Sequence, residues 1–390
     1  MRILIRIIFV FFIANGIDCL GSDICCIPPK YENIIKRENN IAESLVNTDW
    51  YNAKNKNLVL KIFEKEENRN VFTSKDNKYK ISIEFDEKSN PKIAYQDEKK
   101  DPLNLKDKKY ALFEIKTQEE KTVYLYCSDV ESSENYEEYN GIFGNMDHIN
   151  ISVIACDTEN VTDMGRMFYE CNSLIEIDLK NFNTINVTNM RRMFENCSSL
   201  TELDIQNFNT IKVTDMGGMF SDCQKLTELN LKIFNTIKVT DMRAMFSDCE
   251  NLKKLEIGEN FNTSNVTYMV YMFYNCSSLE ELDLENFDTT NVTDMWNMFS
   301  GCKKLKKLNL LNFNTTKVTD MGYMFYNCNS LKEINFEQNF NTTKVKDMAY
   351  MFSGCKNLKE LELGKILIPK RLKIMILCLK IVIKILKIKS

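Results

Sequence analysis

Apolar residues recur with a fixed period through the second half of the chain. The best copy of the repeat is residues 318–331, V-T-D-M-G-Y-M-F-Y-N-C-N-S-L, followed by a short alternating segment and Phe-Asn-Thr. Its cysteine marks eight copies at spacings of 26 or 27 residues. A fixed period of this size predicts a solenoid in which each repeat packs on the next. These cysteines are Cys171, Cys197, Cys223, Cys249, Cys276, Cys302, Cys328 and Cys355.

Each repeat combines two apolar periodicities. In residues 161–171 the apolar positions recur every three or four residues, which predicts a short helix with Asp163 in its first turn. In residues 174–179 they alternate with acidic residues, as in a strand that has one buried face. The pattern therefore predicts an α/β solenoid, a stack of about eight strand-helix repeats.

Two further features of the repeat point to turns. Residues 257–261 and 336–340 each contain one extra residue between the strand and the phenylalanine, where an insertion indicates a surface turn. The residue after that phenylalanine is asparagine in most copies, and we expect this ladder to satisfy turn amides that the stack leaves open. Its members are Asn183, Asn209, Asn235, Asn262, Asn314 and Asn341, with Asp288 in the remaining place.

The repeat resembles the BspA-like leucine-rich-repeat surface proteins. The likeness lies in the branch with the signature V-T-D-M-x-x-M-F-x-x-C-x-x-L-x-x-L-x-L, best known from mycoplasma and protozoan surface proteins, and covers about 200 of the 390 residues. The resemblance implies a strand and helix solenoid, secretion or surface display, and binding of host or neighbouring-cell proteins. It carries over no catalytic residue.

The remaining sequence divides the chain further. Residues 1–16 contain an apolar run, 7–14, followed by small residues, which predicts a signal peptide and a secreted or cell-surface protein. Residues 17–150 are predicted to be a β-rich N-terminal domain or cap, and residues 151–365 the solenoid. No segment of the mature chain is predicted to span a membrane. The β-leaning stretches of the N-terminal part are 58–63, 79–85, 110–115 and 122–126.

The chemistry-bearing residues argue against an enzyme. The chain has one histidine, His148, and lacks a Gly-rich phosphate loop. A carboxylate-based hydrolase is a remote alternative, because the acids recur in every repeat whereas a catalytic pair would break the repeat at one place. No cofactor or metal is implied, since the cysteine ladder has no C-x-x-C pair. We expect the eight repeat cysteines to be buried thiols, whereas the better disulfide candidates are Cys25, Cys26, Cys127 and Cys156.

The outward positions of the predicted strands suggest a binding surface. In a solenoid these positions form one continuous face, and here most of them are acidic. Such a face would repel nucleic acid and attract basic segments of an extracellular or host-surface protein, or weakly bind divalent cations. The alternative is a structural or vestigial repeat protein with a solvated face and no specific ligand. The candidate residues are Glu176, Asp178, Glu202, Asp204, Glu228, Asn230, Glu256, Glu281, Asp283, Glu333, Glu360 and Glu362.

Residues 366–390 depart abruptly from the repeat, with seven basic and no acidic residues. If AT-rich codons are assumed for this segment, reading it two bases later gives F-N-S-K-K-I-K-N-Y-D-F-M-F-K-N-C, which follows the repeat at nearly every position. We therefore predict that this basic apolar tail is an out-of-frame ninth repeat.

The nucleotide sequence beyond codon 365 should encode the repeat in a shifted frame. A series of codons that gives no repeat in either shifted frame would contradict this prediction.

Overall fold

A computed structural model describes the backbone of six strands between residues 60 and 128. It also describes residues 148–361, apart from 337–339 and 359. The predicted signal peptide and the basic apolar tail lie outside the described residues, and both stay predictions.

The N-terminal strands form an antiparallel sheet with the order β4-β3-β2-β1-β6-β5-β7. Four of these strands overlap the four β-leaning stretches of the sequence, and β7 crosses the proposed boundary at residue 150. The bounds are β1 Leu60–Lys65, β2 Val71–Ser74, β3 Lys80–Phe85, β4 Pro91–Tyr95, β5 Tyr110–Thr117, β6 Thr122–Ser128 and β7 His148–Asp157.

Strand β7 connects this sheet to the repeats. On one side it pairs with β5 in the antiparallel sense, and on the other it pairs in parallel with β8, Glu176–Asp178, the strand of the first repeat. Asn150 lies opposite Glu176, and Ser152 lies opposite Asp178. The outward positions of the first repeat therefore have β7 as their neighbour.

The repeats are numbered here from 1 to 8, each beginning at a buried threonine. Their strands pair in parallel and in register, so that Glu228 lies opposite Lys254 and Lys307 opposite Glu333. Repeats 2 and 5 have no regular strand at the equivalent position. The later strands are β9 Glu228–Leu231, β10 Lys254–Ile257, β11 Lys307–Leu310, β12 Glu333–Phe336 and β13 Glu360–Leu361. The repeats begin at Thr158, Thr184, Thr210, Thr236, Thr263, Thr289, Thr315 and Thr342.

The predicted helix of each repeat is wrong for the described residues, which contain strands, bridges and turns but no helix. In repeat 1 the amides of residues 164, 166, 168 and 170 donate to carbonyls 25 residues further on, in repeat 2. The amides of residues 167, 169 and 171 donate to carbonyls three residues earlier. Successive turns of this kind place an apolar side chain inward every three or four residues, as a helix does. The apolar spacing therefore could not distinguish the two structures.

This turn structure requires a left-handed backbone at two positions of each of the eight repeats. Arg166 and Glu170 have φ of 57° and 59°, and equivalent residues follow in the later repeats. Glycine replaces the first of these residues at Gly218 and the second at Gly301 and Gly354. A left-handed conformation is costly for most side chains, and the hydrogen bonds to the next repeat offset that cost.

The core consists of columns of identical side chains. One phenylalanine per repeat, from Phe168 to Phe352, stacks on its equivalent in the next repeat with ring centroids 5.3 to 6.0 Å apart. The valine, both methionines, the cysteine and the leucine of the repeat are buried beside this column. Each repeat therefore buries its apolar side chains against its neighbours.

Buried threonines, which the sequence did not single out, connect the turns of adjacent repeats. The Thr210 hydroxyl donates to the Asn235 carbonyl at 3.0 Å and accepts the Asn235 amide at 2.8 Å. Seven threonines donate in this way, at 2.7 to 3.0 Å. The asparagine ladder does satisfy turn amides, but locally: Asn235 Oδ1 accepts the amide of Ile237, two residues on.

The cysteine column consists of buried side chains, and from Cys197 to Cys355 these are free thiols, as predicted. Each of these thiols donates to a phenylalanine carbonyl 29 or 30 residues earlier, at 3.0 to 3.2 Å. In the N-terminal sheet, Cys127 and Cys156 flank Ala111 from opposite sides. They are two strand spacings apart, about 9.6 Å, which is beyond the reach of a disulfide.

We expect Thr210→Val to lower the free energy of unfolding by about 1–3 kcal/mol. The exchange keeps the shape of the side chain but leaves the half-buried amide and carbonyl of Asn235 without this partner. Urea denaturation measures the loss. The matched control is Thr343→Val at an exposed threonine, which should change stability by less than about 0.5 kcal/mol. Equal losses in the two variants would contradict the role given to the buried hydroxyl.

Candidate functional site

The candidate face is formed by the strand residues that alternate with the core. In β9, Glu228 is exposed and Asn230 half-buried, while Leu229 and Leu231 between and after them are buried. The same alternation holds in β8 and β11. The parallel register places equivalent outward residues of paired strands directly opposite one another, about 4.8 Å apart. The structure therefore brings these outward side chains of paired strands together on one face.

Lysines partly neutralise the later part of this face. Glu256 Oε1 lies 3.0 Å from Lys232 Nζ and 3.1 Å from Lys254 Nζ. Hydrogen bonds from these two lysines lower the pKa of Glu256. Glu333 is paired in the same way with Lys307 at 3.0 Å, and a hydrogen bond from Lys307 lowers its pKa. The acidic character of the face is therefore strongest before repeat 4.

The second column of the candidate residues also has a structural role. The Asp178 carboxylate accepts the amide of Lys180, at 3.1 Å, and Lys180 Nζ lies 2.7 Å from its other oxygen. Asp204, Asn230 and Asp283 likewise accept the amide two residues on, at 3.0 to 3.1 Å. Such Asx turns end the strand segment of the repeat. These positions therefore suit Asp or Asn for a reason of backbone geometry.

The first column has a different environment. Glu176, Glu202, Glu228 and Glu281 are exposed and make no turn of this kind, although Glu176 accepts a long hydrogen bond, 3.4 Å, from Asn150. Glu360 lies in β13, where only the backbone is described, and Glu362 lies outside the described residues. A groove of about 290 Å³ runs across β7 and repeats 1 and 2. It is lined by Asn150, Ile151, Ser152, Glu176, Ile177, Asp178, Glu202 and Asp204.

A second surface, which the sequence did not point to, is formed by the two residues between the methionines of Met-x-x-Met. We call them the variable pair. In repeats 1 to 4 this pair contains Arg166, Arg191, Arg192 and Arg243, which are all the arginines of residues 158–361. That restriction of arginine to the variable pair, in a lysine-rich chain, is the signal by which the surface could have been found.

Arg191 spans two repeats across this surface. Its Nη1 lies 3.5 Å from a carboxylate oxygen of Asp215 and 3.5 Å from one of Asp241. A Cβ atom on Gly217 would come within 3.0 Å of the same Nη1. The arginine can therefore lie flat over repeat 3 because glycine follows it in the stack.

Glu195 is the most perturbed acid described next to this surface. Its Oε2 is buried without a hydrogen bond, although Arg192 Nε lies 3.1 Å away. Burial raises the pKa of Glu195 to about 7 against the opposing charge of Arg192. Burial also raises the pKa of Asp222 to about 6, assisted by the negative charge of Asp248.

The described residues offer little for metal or thiol chemistry. They contain no group of three or more histidine, cysteine, aspartate or glutamate side chains that could hold a metal ion. Burial raises the pKa of the six thiols from Cys197 to Cys328, to about 12 for Cys302, and a protonated thiol is a poor ligand and nucleophile. Within the same residues, no helix has the length and apolarity to cross a bilayer.

We expect Glu195→Gln to flatten the pH dependence of stability. Because the folded-state pKa of Glu195 is raised from 4.5 to about 7, the native state binds this proton more tightly than the unfolded state. The free energy of unfolding should therefore fall as the pH rises from about 4.5 to about 7, by on the order of 1–3 kcal/mol. Urea denaturation at a series of pH values should show a smaller fall in the variant. Exposed Glu202→Gln is the control, and an unchanged pH profile in Glu195→Gln would contradict the prediction.

Comparison with known proteins places the repeats in a family. Residues 137–258 and 249–364 each match the family model described as Mycoplasma protein of unknown function, DUF285. No curated protein and no solved structure matches the chain. The two matched segments overlap and together cover more than half of the chain. The chain therefore belongs to DUF285, a family of mycoplasma proteins of unknown function.

Proposed function

We propose that repeats 1 to 8 form a leucine-rich-repeat-like solenoid, of the BspA-like type, on a secreted or cell-surface protein. Three observations support a solenoid: the phenylalanine column, the buried threonines, and the amides that donate to the next repeat. Turns take the place of the helix that the α/β class would require. Surface display is supported by the apolar run at residues 7–14 and by the likeness of the repeat to surface proteins.

The proposed activity is binding of a protein partner through the acidic strand face, in adhesion or host interaction. The observation that carries it is the row of exposed carboxylates in repeats 1 to 3, formed by Glu176, Glu202 and Glu228. Exposed like charges on neighbouring strands disfavour folding, so a basic partner segment would relieve a cost that the fold itself carries. An extracellular or host-surface protein with lysines or arginines fits this row. Divalent cations would bind weakly.

The groove beside this row favours an extended segment of the partner. It joins Asn150 and Ser152 of β7 to the acids of repeats 1 and 2. Amide and hydroxyl groups at one wall and carboxylates at the other suit a chain with both polar backbone and basic side chains. The lysine pairs of Glu256 and Glu333 make repeats 4 to 7 a weaker place for such a partner.

The alternative is a structural repeat protein without a specific ligand. One observation favours it: Asp178, Asp204 and Asp283 accept turn amides, so part of the acidic pattern has a structural cause. A carboxylate-based hydrolase remains the remote alternative. The proposal is that the protein is not an enzyme.

Reversing the charge of Glu202 and Glu228 distinguishes binding through the acidic strand face from a structural role without a ligand. Both side chains are exposed and neither makes an Asx turn, so Glu202→Lys with Glu228→Lys should fold normally. Binding of the labelled full chain to cultured animal cells should weaken by about tenfold, because the charge that attracts a basic partner is inverted. Flow cytometry measures the binding.

The matched control reverses two exposed glutamates elsewhere, Glu259→Lys with Glu285→Lys. It changes the net charge equally and should retain binding. Equal binding by the native chain and both double variants would remove the acidic face as a binding site. Equal loss in both would mean that net charge alone controls attachment.

A further inference from the structure

The strand face changes from acidic to basic along the solenoid. In repeats 2 and 3, segments 201–204 and 227–230 contain three acids and no basic residue. The equivalent segments of repeats 6 and 7 contain three lysines and one acid, Glu333, which is paired with Lys307 at 3.0 Å. The two ends of the face therefore carry opposite charge. Apart from Glu333 the charged side chains of these four segments are exposed, namely Glu202, Asp204, Glu228, Lys306, Lys307 and Lys332.

The middle of the face alternates in sign. Segment 253–256 of repeat 4 has two lysines and one acid, whereas segment 280–283 of repeat 5 has three acids and no basic residue. Lys254 and Glu281, which occupy equivalent positions in these two repeats, are both exposed. From repeat 2 to repeat 7 the segments are therefore acidic, acidic, basic, acidic, basic and neutral in net charge.

This order of charges is complementary to its own reverse. A second copy that faces the first with its repeats in the opposite order would set repeat 3 against repeat 6, and repeat 4 against repeat 5. Each of these pairs combines an acidic with a basic segment, and a two-fold axis makes each contact occur twice. Repeat 2, which is acidic, would face repeat 7, which is neutral. A shift of one repeat in either direction would set the acidic repeat 5 against itself or against the acidic repeat 3, so the charges favour one register.

The ion pairs within one chain leave the lysines able to change partners. Lys306 Nζ lies 2.5 Å from a carboxylate oxygen of Glu280, but the two side chains are 55% and 51% exposed. Exposed ion pairs of this kind contribute little to stability, so a second carboxylate can share or replace the first at little cost. The face of repeats 2 to 7 is about 29 Å long and about 13 Å wide, from six strands of four residues each. A face of this size buries less than about 1,200 Å² in total, which is typical of weak, transient complexes.

We propose that the strand face of repeats 2 to 7 pairs with the same face of a second copy of this chain, in the opposite repeat order. The acids of repeats 2 and 3 then lie against the lysines of repeats 6 and 7, and the lysines of repeat 4 against the acids of repeat 5. The pair covers part of the face assigned above to a basic partner, so the monomer is the form that is open to such a partner. Pairing does not depend on that partner, because the chain should associate with itself in the absence of cells.

Sedimentation equilibrium of the full chain measures the association, and two charge-reversed variants test its geometry. The acid-reversed variant is Glu202→Lys with Glu228→Lys, and the lysine-reversed variant is Lys306→Glu with Lys332→Glu. Each variant alone should dimerise with a dissociation constant at least about tenfold higher than that of the native chain, because like charges then face each other. An equimolar mixture of the two should recover the native dissociation constant within about threefold, since every reversed charge then meets its opposite.

The matched control is Glu259→Lys with Glu285→Lys, which changes the net charge as the acid-reversed variant does and should alter the dissociation constant less than twofold. A native chain that stays monomeric at about 100 μM overturns the proposal. A mixture that associates no more tightly than its components also overturns it, as do species that grow beyond the dimer, which would indicate head-to-tail contacts.

Circular dichroism checks the fold of each variant. If a reversed variant fails to fold, the salt dependence of the native dimer decides the matter. Raising sodium chloride from about 50 mM to about 500 mM should weaken the dimer about tenfold, because salt screens exposed charges. A dimer that is unchanged by salt overturns the proposal. Cell binding is measured separately by flow cytometry, so a failure of self-association and a failure of the proposed function are distinguishable.

Discussion

The structure of this chain depends on one hydrogen-bonding arrangement. Within residues 164–171 and their equivalents in repeats 2 to 7, every second amide donates to a carbonyl of the next repeat, and the amides between them close turns within their own repeat. Both sets of donors are thereby satisfied without a helix. The left-handed residues, the stacked phenylalanines and the flat position of Arg191 all follow, because each requires neighbouring repeats to lie at strand spacing rather than at helix spacing.

Much of the core was predictable from the sequence, whereas its backbone was not. The period, the buried methionines and cysteines, and the parallel strand segments follow from residue types that recur every 26 or 27 positions. The helix prediction was wrong because an apolar residue every three or four positions is compatible with two backbones. The two backbones differ in the left-handed φ of residues such as Arg166. Only glycine would have indicated such a φ in the sequence, and most of these positions are not glycine.

The roles of the polar residues were likewise predictable only in part. Glu202 and Glu228 lie outward as their strand period predicted. The sequence did not predict the role of the threonines that begin each repeat. Their hydroxyls bond the next repeat, and the apolar periodicity within one repeat does not indicate such a contact. Asp178 and Asp204 were interpreted from charge alone, although their turn contacts give them a second reason to be present. The sequence did not point to the variable pair, because a repeat is recognised from residues that recur. The residues at the positions of Arg191 and Trp296 change from one repeat to the next.

The position of a large side chain over the glycine of the following repeat has a consequence for how such a chain can change. Most contacts between repeats are identical, so a duplication or deletion of one unit would leave the core and its hydrogen bonds intact. Arg191 with Gly217 and Trp296 with Gly322 are exceptions, since each needs its glycine in the unit that follows. Recombination that separates the members of such a couple would bring a bulky side chain against a Cβ atom. The repeats are therefore alike in the core, whereas these two couples at the surface fit only when their two repeats stay in this order.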